Sequence, residues 1–248
     1  MKLMIAILAA VLMITATPMP ARGQGINLSW SDCGTHGTSL RTFACATNIG
    51  VNSLVGSFVP GAFVDSVTAG EAVIDIQTLG PSLPDWWGLR TGLCRPAALN
   101  ASFDFTGGPF NCYDYWQGGA MGAAVAGPPS GNQLRIKLAM ALPLNDSRVA
   151  DLDDNAEVYA FRANITNVKS TGDGACPGCD VGACIVLNNI QVRTIFDGQP
   201  LSFFLGNPVT LNQVTWQCPG FVTTHGCVLD CTTPTRDRTW GQVKQLYR

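Results

Sequence analysis

Trp86, Trp87, Tyr113, Tyr115 and Trp116 crowd into two short stretches, Asp85-Trp86-Trp87 and Cys112-Tyr113-Asp114-Tyr115-Trp116. Flat aromatic rings stack on the C–H face of a sugar or on an apolar protein surface. A carboxylate beside them accepts hydroxyl hydrogen bonds, and Asp85 and Asp114 stand in that position. These seven residues form the first candidate ligand site. The competing reading is a secondary core beneath the two loops, because large rings are mostly buried in folded proteins.

A second group is acidic. Between Asn145 and Asn155 the chain carries Asp146, Asp151, Asp153 and Asp154, with Glu157 just beyond. Clustered carboxylates suit Ca²⁺, a hard cation that takes six to eight oxygens. Asp151, Asp153 and Asp154 are the candidate ligands, although the run lacks the regular Asp-x-Asp-x-Asp-Gly of an EF-hand loop. A solvated turn between two strands explains it equally well. For catalysis the sequence offers little. His36 and His225 each precede a glycine, and no Gly-x-Ser-x-Gly elbow or phosphate-cradling glycine loop occurs. Glu71, Asp85, Asp104 and Asp114 could pair for glycoside hydrolysis, but sequence sets no distance between them. No catalytic residue is assigned.

The third chemistry is sulfur. Ten cysteines occur: Cys33, Cys45, Cys94, Cys112, Cys176, Cys179, Cys184, Cys218, Cys227 and Cys231. An even count behind an export leader reads as a disulfide framework. Locality suggests Cys33 with Cys45 and Cys94 with Cys112. It leaves two triplets, Cys176/Cys179/Cys184 and Cys218/Cys227/Cys231, joined by one bridge. A Cys94–Cys112 bridge would hold both aromatic groups at one end of the domain. The zinc alternative rests on Cys176-Pro-Gly-Cys179 with Cys184, and it lacks a second Cys-x-x-Cys. A thioredoxin-like role would need a helix straight after that motif, where Cys184-Ile185-Val186-Leu187 instead begins a strand.

The elements that must position these groups alternate with period two. Ile26, Leu28 and Trp30 share a face. So do Ala72, Ile74 and Ile76, and so do Leu99, Ala101, Phe103 and Phe105. Leu134, Ile136, Leu138, Met140 and Leu142 form the longest stripe, with Arg135 and Lys137 opposite. Tyr159, Phe161, Ala163 and Ile165 make another, and residues 54–59, 184–194 and 201–216 complete about nine strands. That number suits two packed antiparallel sheets. Residues 80–98 and 107–131 depart from the pattern, the latter ending in a run of small residues from Gly118 to Gly127. Helical spacing occurs only at Thr239–Arg248, as a short terminal helix or a docking tag.

Of 248 residues, 13% are charged and 46% hydrophobic, so the chain fills a core and is not disordered. Met1 to Gly23 has the layout of an export signal: Lys2, an uncharged apolar run, then Ala21-Arg22-Gly23. Removing Lys2 and Arg22 leaves 13 bases against 17 acids, a net charge of 13 − 17 = −4. This excludes a basic nucleic-acid binder, and no later stretch is long and apolar enough for a helical membrane span. Four sequons stand at Asn27, Asn100, Asn145 and Asn164.

Cys176-Pro-Gly-Cys179 running into Cys184-Ile185-Val186-Leu187-Asn188-Asn189, and the ending Arg238-Thr239-Trp240-Gly241-Gln242-Val243-Lys244-Gln245-Leu246-Tyr247-Arg248, resemble segments of exported bacterial β-sandwich proteins. That resemblance brings no activity with it. At fold level only, the strand pattern is similar to cohesin-like and carbohydrate-binding sandwiches, and fold does not fix function.

The expectation is therefore an all-β chain: residues 1–23 a signal peptide, 24–217 an antiparallel two-sheet sandwich of jelly-roll or cohesin-like type, and 218–248 a cysteine-containing tail with a short helix. It would be secreted, extracellular or periplasmic. Without a cofactor other than the Ca²⁺ considered above, it would serve as a recognition or structural module binding a glycan or a protein surface. The alternatives are a purely structural cell-surface component and a glycoside-directed hydrolase.

Overall fold

A computed structural model describes residues 23–217, apart from 62–63, 65–66, 144–151, 154 and 197–198. Among the described residues eleven strands build two sheets packed face to face. The smaller sheet has the order β1-β3-β8-β5, with β1 (Gly25–Trp30), β3 (Val51–Val59), β5 (Leu99–Ser102) and β8 (Val158–Thr166). The larger sheet has the order β2-β11-β9-β4-β7-β6, and β10 also pairs with β9. Its strands are β2 (Leu40–Arg41), β4 (Val67–Thr78), β6 (Met121–Ala126), β7 (Gln133–Ala141), β9 (Ala183–Phe196), β10 (Gln199–Leu205) and β11 (Gln213–Trp216). All strand pairs are antiparallel except β2 with β11, which run parallel.

Alternation becomes burial most plainly in β7. Leu134, Ile136, Leu138 and Met140 are buried, and Gln133, Arg135, Lys137 and Ala139 are exposed. Burying those four side chains contributes about 1.5–3 kcal/mol each before entropy is subtracted. They face Ala72, Ile74 and Ile76 of the neighbouring β4 on the inner side of the large sheet. The opposite sheet supplies Leu54, Phe58, Phe161 and Ile165 to the same core. Gly56 lies at a bulge between β3 and β8, and a Cβ there would sit 2.3 Å from the Phe161 ring. The ring packs over the bare glycine, so the bulge and the aromatic specify each other.

Two strands escape the period-two reading. β2 is only two residues long, and β6 lies inside the small-residue run read as irregular. β6 forms the free edge of the large sheet, with five of its six residues wholly or partly exposed. A strand so little buried has no apolar face to alternate, so it leaves no periodic signal.

The disulfides differ from the local pairing expected above. Cys33 bonds Cys112, Cys45 bonds Cys179, and Cys94 bonds Cys176, across 79, 134 and 82 residues. Cys184 is also disulfide-bonded. The sheets bring sequence-distant cysteines side by side, and that proximity overrides closeness in the chain. Among the described residues no cysteine is free, so Cys176-Pro-Gly-Cys179 holds two separate cross-links, neither a zinc half-site nor a redox pair. Cys218, Cys227, Cys231 and the expected terminal helix lie outside the described residues.

Candidate functional site

The aromatic groups are core. Trp86, Trp87, Tyr115 and Trp116 are at most 2% exposed, and only Tyr113 reaches solvent, at 41%. Trp86 and Trp87 sit on a short 3-10 turn (Asp85–Trp87) and join Trp216, with ring centroids 4.5 and 5.5 Å away. Phe43 stacks on Trp216 at 4.0 Å and meets Trp30 edge-on, so five rings plug one end of the sandwich. Trp86 Nε1 donates to Ser170 Oγ at 2.9 Å, and Trp216 Nε1 donates to the Cys179 carbonyl at 2.7 Å.

Tyr115 and Trp116 pack edge-to-face on each other instead, and Trp116 Nε1 donates to the Ala160 carbonyl. Among the described residues no ring contact joins the two groups. The Cys94–Cys112 bridge that would have brought them together does not form, because each cysteine bonds elsewhere. Buried rings present no flat face to a sugar, so the expected ligand site at Trp86, Trp87, Tyr115 and Trp116 is corrected to a packing role. Asp85 is exposed at the start of its turn, and Asp114 Oδ1 accepts the Gln117 backbone N–H at 3.0 Å.

Beneath the five-ring plug lies Arg95, 1% exposed. Its guanidinium lies 3.7 Å from the Trp86 ring and donates to the backbone carbonyls of Trp86 at 2.6 Å, Val168 at 2.8 Å and Thr166. Burial pulls its pKa down to about 10. The carbonyls and the ring face take the place of a carboxylate partner, which makes Arg95 a strut of the loop end.

A polar network surrounds the Cys33–Cys112 bridge. Asp32 accepts from Tyr159 Oη at 2.7 Å, from Asn111 Nδ2 at 2.6 Å and from the Cys33 N–H at 2.7 Å. Glu157 accepts from Asn27 Nδ2 at 2.8 Å and from Ser57 Oγ at 2.6 Å. Burial, then the bond to Asp32, pushes the Tyr159 hydroxyl up to about 12. A carboxylate oxygen of Glu157 and the two sulfurs lie within 4.8 Å of one another. The sulfurs are already bonded to each other and offer no thiolate to a metal. Of the calcium candidates, Asp151 and Asp154 lie outside the described residues, and Asp153 Oδ1 accepts the Asn155 N–H at 2.9 Å. Of the carboxylates considered for hydrolysis, Glu71 pairs with Arg193 at 2.5 Å on the outer face, and Asp104 closes its own turn with Thr106. Those two hydrogen bonds, donated by the Thr106 hydroxyl and N–H, lower the Asp104 pKa.

The geometry that can take a ligand lies elsewhere, on the outer face of the large sheet. A depression of about 490 Å³ opens where β4, β7 and β6 meet the β6–β7 connection. Its polar lining comes from alternate residues of one strand, Gln133, Arg135 and Lys137, with Asp75 of β4 and Ser130 of the connection. Period two forces this arrangement: the residues that bury Leu134, Ile136 and Leu138 must send Arg135 and Lys137 outward. Val125 and Pro128 supply apolar wall, and Val125 is 64% exposed.

The wall is held by a tight hairpin. Ser130 and Gln133 exchange two backbone hydrogen bonds of 3.0 Å, and Gly131 between them takes φ +58°, which a side chain would strain. The floor is held by a two-point ion pair. Arg135 Nε and Nη2 each meet an Asp75 carboxylate oxygen at 2.7 Å, across the register Asp75↔Arg135. The pair is half-open to water, so it contributes about 0.2–1 kcal/mol to stability, and its main effect is to fix the guanidinium plane. Sequence reading placed Arg135 and Lys137 on the solvent face without singling them out. The pairing of Arg135 with Asp75 across the strands, which marks the depression, follows only from the register.

No protein-family model matches the sequence, and no curated protein matches it. Among solved structures, one similar chain is AvmM, which catalyses macrocyclization in alchivemycin A biosynthesis. It is 11% identical with a TM-score of 0.32, over 75% of this chain and 91% of that one. A second comes from a structure described as manganese lipoxygenase of Gaeumannomyces graminis with part of zonadhesin of Komagataella pastoris. It is 14% identical with a TM-score of 0.22, over 78% of this chain and 57% of that one. Likeness at this level brings no activity to this chain and gives no support to a cohesin-like or carbohydrate-binding kinship.

Proposed function

We propose that the protein is an exported recognition module that binds a glycan or a protein surface through the outer face of its large sheet. The observation that carries this reading is the preformed depression beside the Asp75–Arg135 pair, built on paired strands. Sites on such elements hold their polar groups in place at little entropic cost. The cross-links support export, because disulfides persist in oxidising compartments, and the leader-like first 23 residues agree. Among the described residues no helix is long and apolar enough to cross a membrane.

The test is an array of glycans and extracellular proteins probed with the exported chain and with Val125→Trp. The tryptophan fills the depression from an already exposed position and leaves the charges alone. The reading expects binding of the unaltered chain that Val125→Trp abolishes. A bound species retained equally by both proteins would place recognition elsewhere.

A further inference from the structure

The depression carries more cation than anion. Arg135 is matched by Asp75, and Glu71, the other acid of β4 on this face, is committed to Arg193. Lys137 lines the same depression, is exposed, and has no ion-pair or hydrogen-bond partner among the described residues. It stands across from Val73 on β4 and Val125 on β6. Its ammonium therefore rises from an apolar strip, without an acidic neighbour directly opposite on either strand. The rest of the chain is net acidic, which makes a local excess of positive charge a departure from its surroundings.

We infer that the ligand of this depression is an acidic saccharide, a sugar ring bearing a carboxylate or a sulfate. This inference rests on the recognition reading above and specifies it. Lys137 meets the anionic substituent as a point charge. Gln133 and Ser130 exchange hydrogen bonds with ring hydroxyls, and Val125 with Pro128 lies against the C–H face. The ion-paired Arg135 marks the polar end of the site and keeps its guanidinium from collapsing into the space. Carboxylate and sulfate share this chemistry, so separate ligands must distinguish them.

The experiment is calorimetric titration of the exported chain with trigalacturonate, with galactose 6-sulfate and with neutral galactotriose, at 20 and 150 mM salt. The expected result is that at least one acidic ligand binds about tenfold more tightly than galactotriose at low salt, with the advantage shrinking at high salt. Lys137→Ala should lower that affinity about fivefold or more, and Lys137→Arg should restore most of it, because charge is the determinant. Lys137 is exposed, so retention of the unaltered circular dichroism spectrum checks the fold of both variants. Equal affinity for acidic and neutral ligands, absence of binding by both acidic ligands, or an unchanged affinity in Lys137→Ala would each overturn the inference. Galactotriose binding that Val125→Trp abolishes would leave the recognition reading standing while the acidic assignment falls. The recognition reading itself falls only if the array shows no binding that Val125→Trp removes.

Discussion

Trp86→Ala separates a binding role for the aromatic residues from a packing role. Trp86 is fully buried, and truncating a buried aromatic costs about 3–5 kcal/mol. The variant also loses the 2.9 Å hydrogen bond to Ser170, worth about 1 kcal/mol net, and the ring face 3.7 Å beneath Arg95. A desolvated cation–ring contact contributes about 2 kcal/mol, so the loss comes to roughly 6–8 kcal/mol. Domain stabilities run to about 5–15 kcal/mol, and Trp86→Ala should therefore be unfolded or close to it at room temperature. Urea denaturation followed by circular dichroism reads this directly, with oligosaccharide binding measured on the same samples. Tyr113→Ala is the contrast: its ring is exposed, so it should shift the midpoint little. A Trp86→Ala protein with an unchanged midpoint and lost binding would refute the argument and return the rings to a ligand site.

Three further outcomes follow from the structure. Non-reducing peptide mapping should recover the Cys33–Cys112, Cys45–Cys179 and Cys94–Cys176 linkages, and peptides joining Cys33 to Cys45 or Cys94 to Cys112 would contradict the fold. Removing the Cys94–Cys176 bridge as a double serine variant should cost about 4 kcal/mol on the chain-entropy account, read as a lower denaturation midpoint. Tyr159 should ionise near pH 12, above the ordinary tyrosine value of about 10, in absorbance at 295 nm. Its folded pKa lies above its unfolded one, so the stability it contributes is complete below pH 10 and is lost as pH rises through 10 to 12. Tyr159→Phe should remove that window, and an unchanged alkaline transition in the variant would refute the assignment.

What the sequence disclosed and what it concealed divide along one physical line. Period-two stripes are local, and three became strands with their apolar faces inward, Leu134 to Met140 in β7, Ala72 to Ile76 in β4 and Tyr159 to Ile165 in β8, while the Leu99 to Phe105 stripe gives only the short β5. The aromatic stretches are local too, but whether a ring meets solvent depends on what the rest of the chain brings over it. For Trp86 and Trp87 that cover is Trp216, some 130 residues away. Cysteine pairing fails for the same reason, because neighbours along the chain are not neighbours across a sandwich. β6 is a third case, an exposed edge strand whose small residues carry no stripe.

The ligand-sized depression is the farthest from local information. Asp75 and Arg135 are 60 residues apart and meet only through the β4–β7 register. Yet that register is itself fixed by the hydrophobic stripe, since a one-residue slip would turn Leu134, Ile136 and Leu138 to water. The burial of four apolar side chains thus determines where one arginine, one aspartate and one lysine stand. A charge reversal at Lys137 should therefore alter what binds while leaving the fold intact, whereas a polar residue at Ile136 should remove the site by removing the strand.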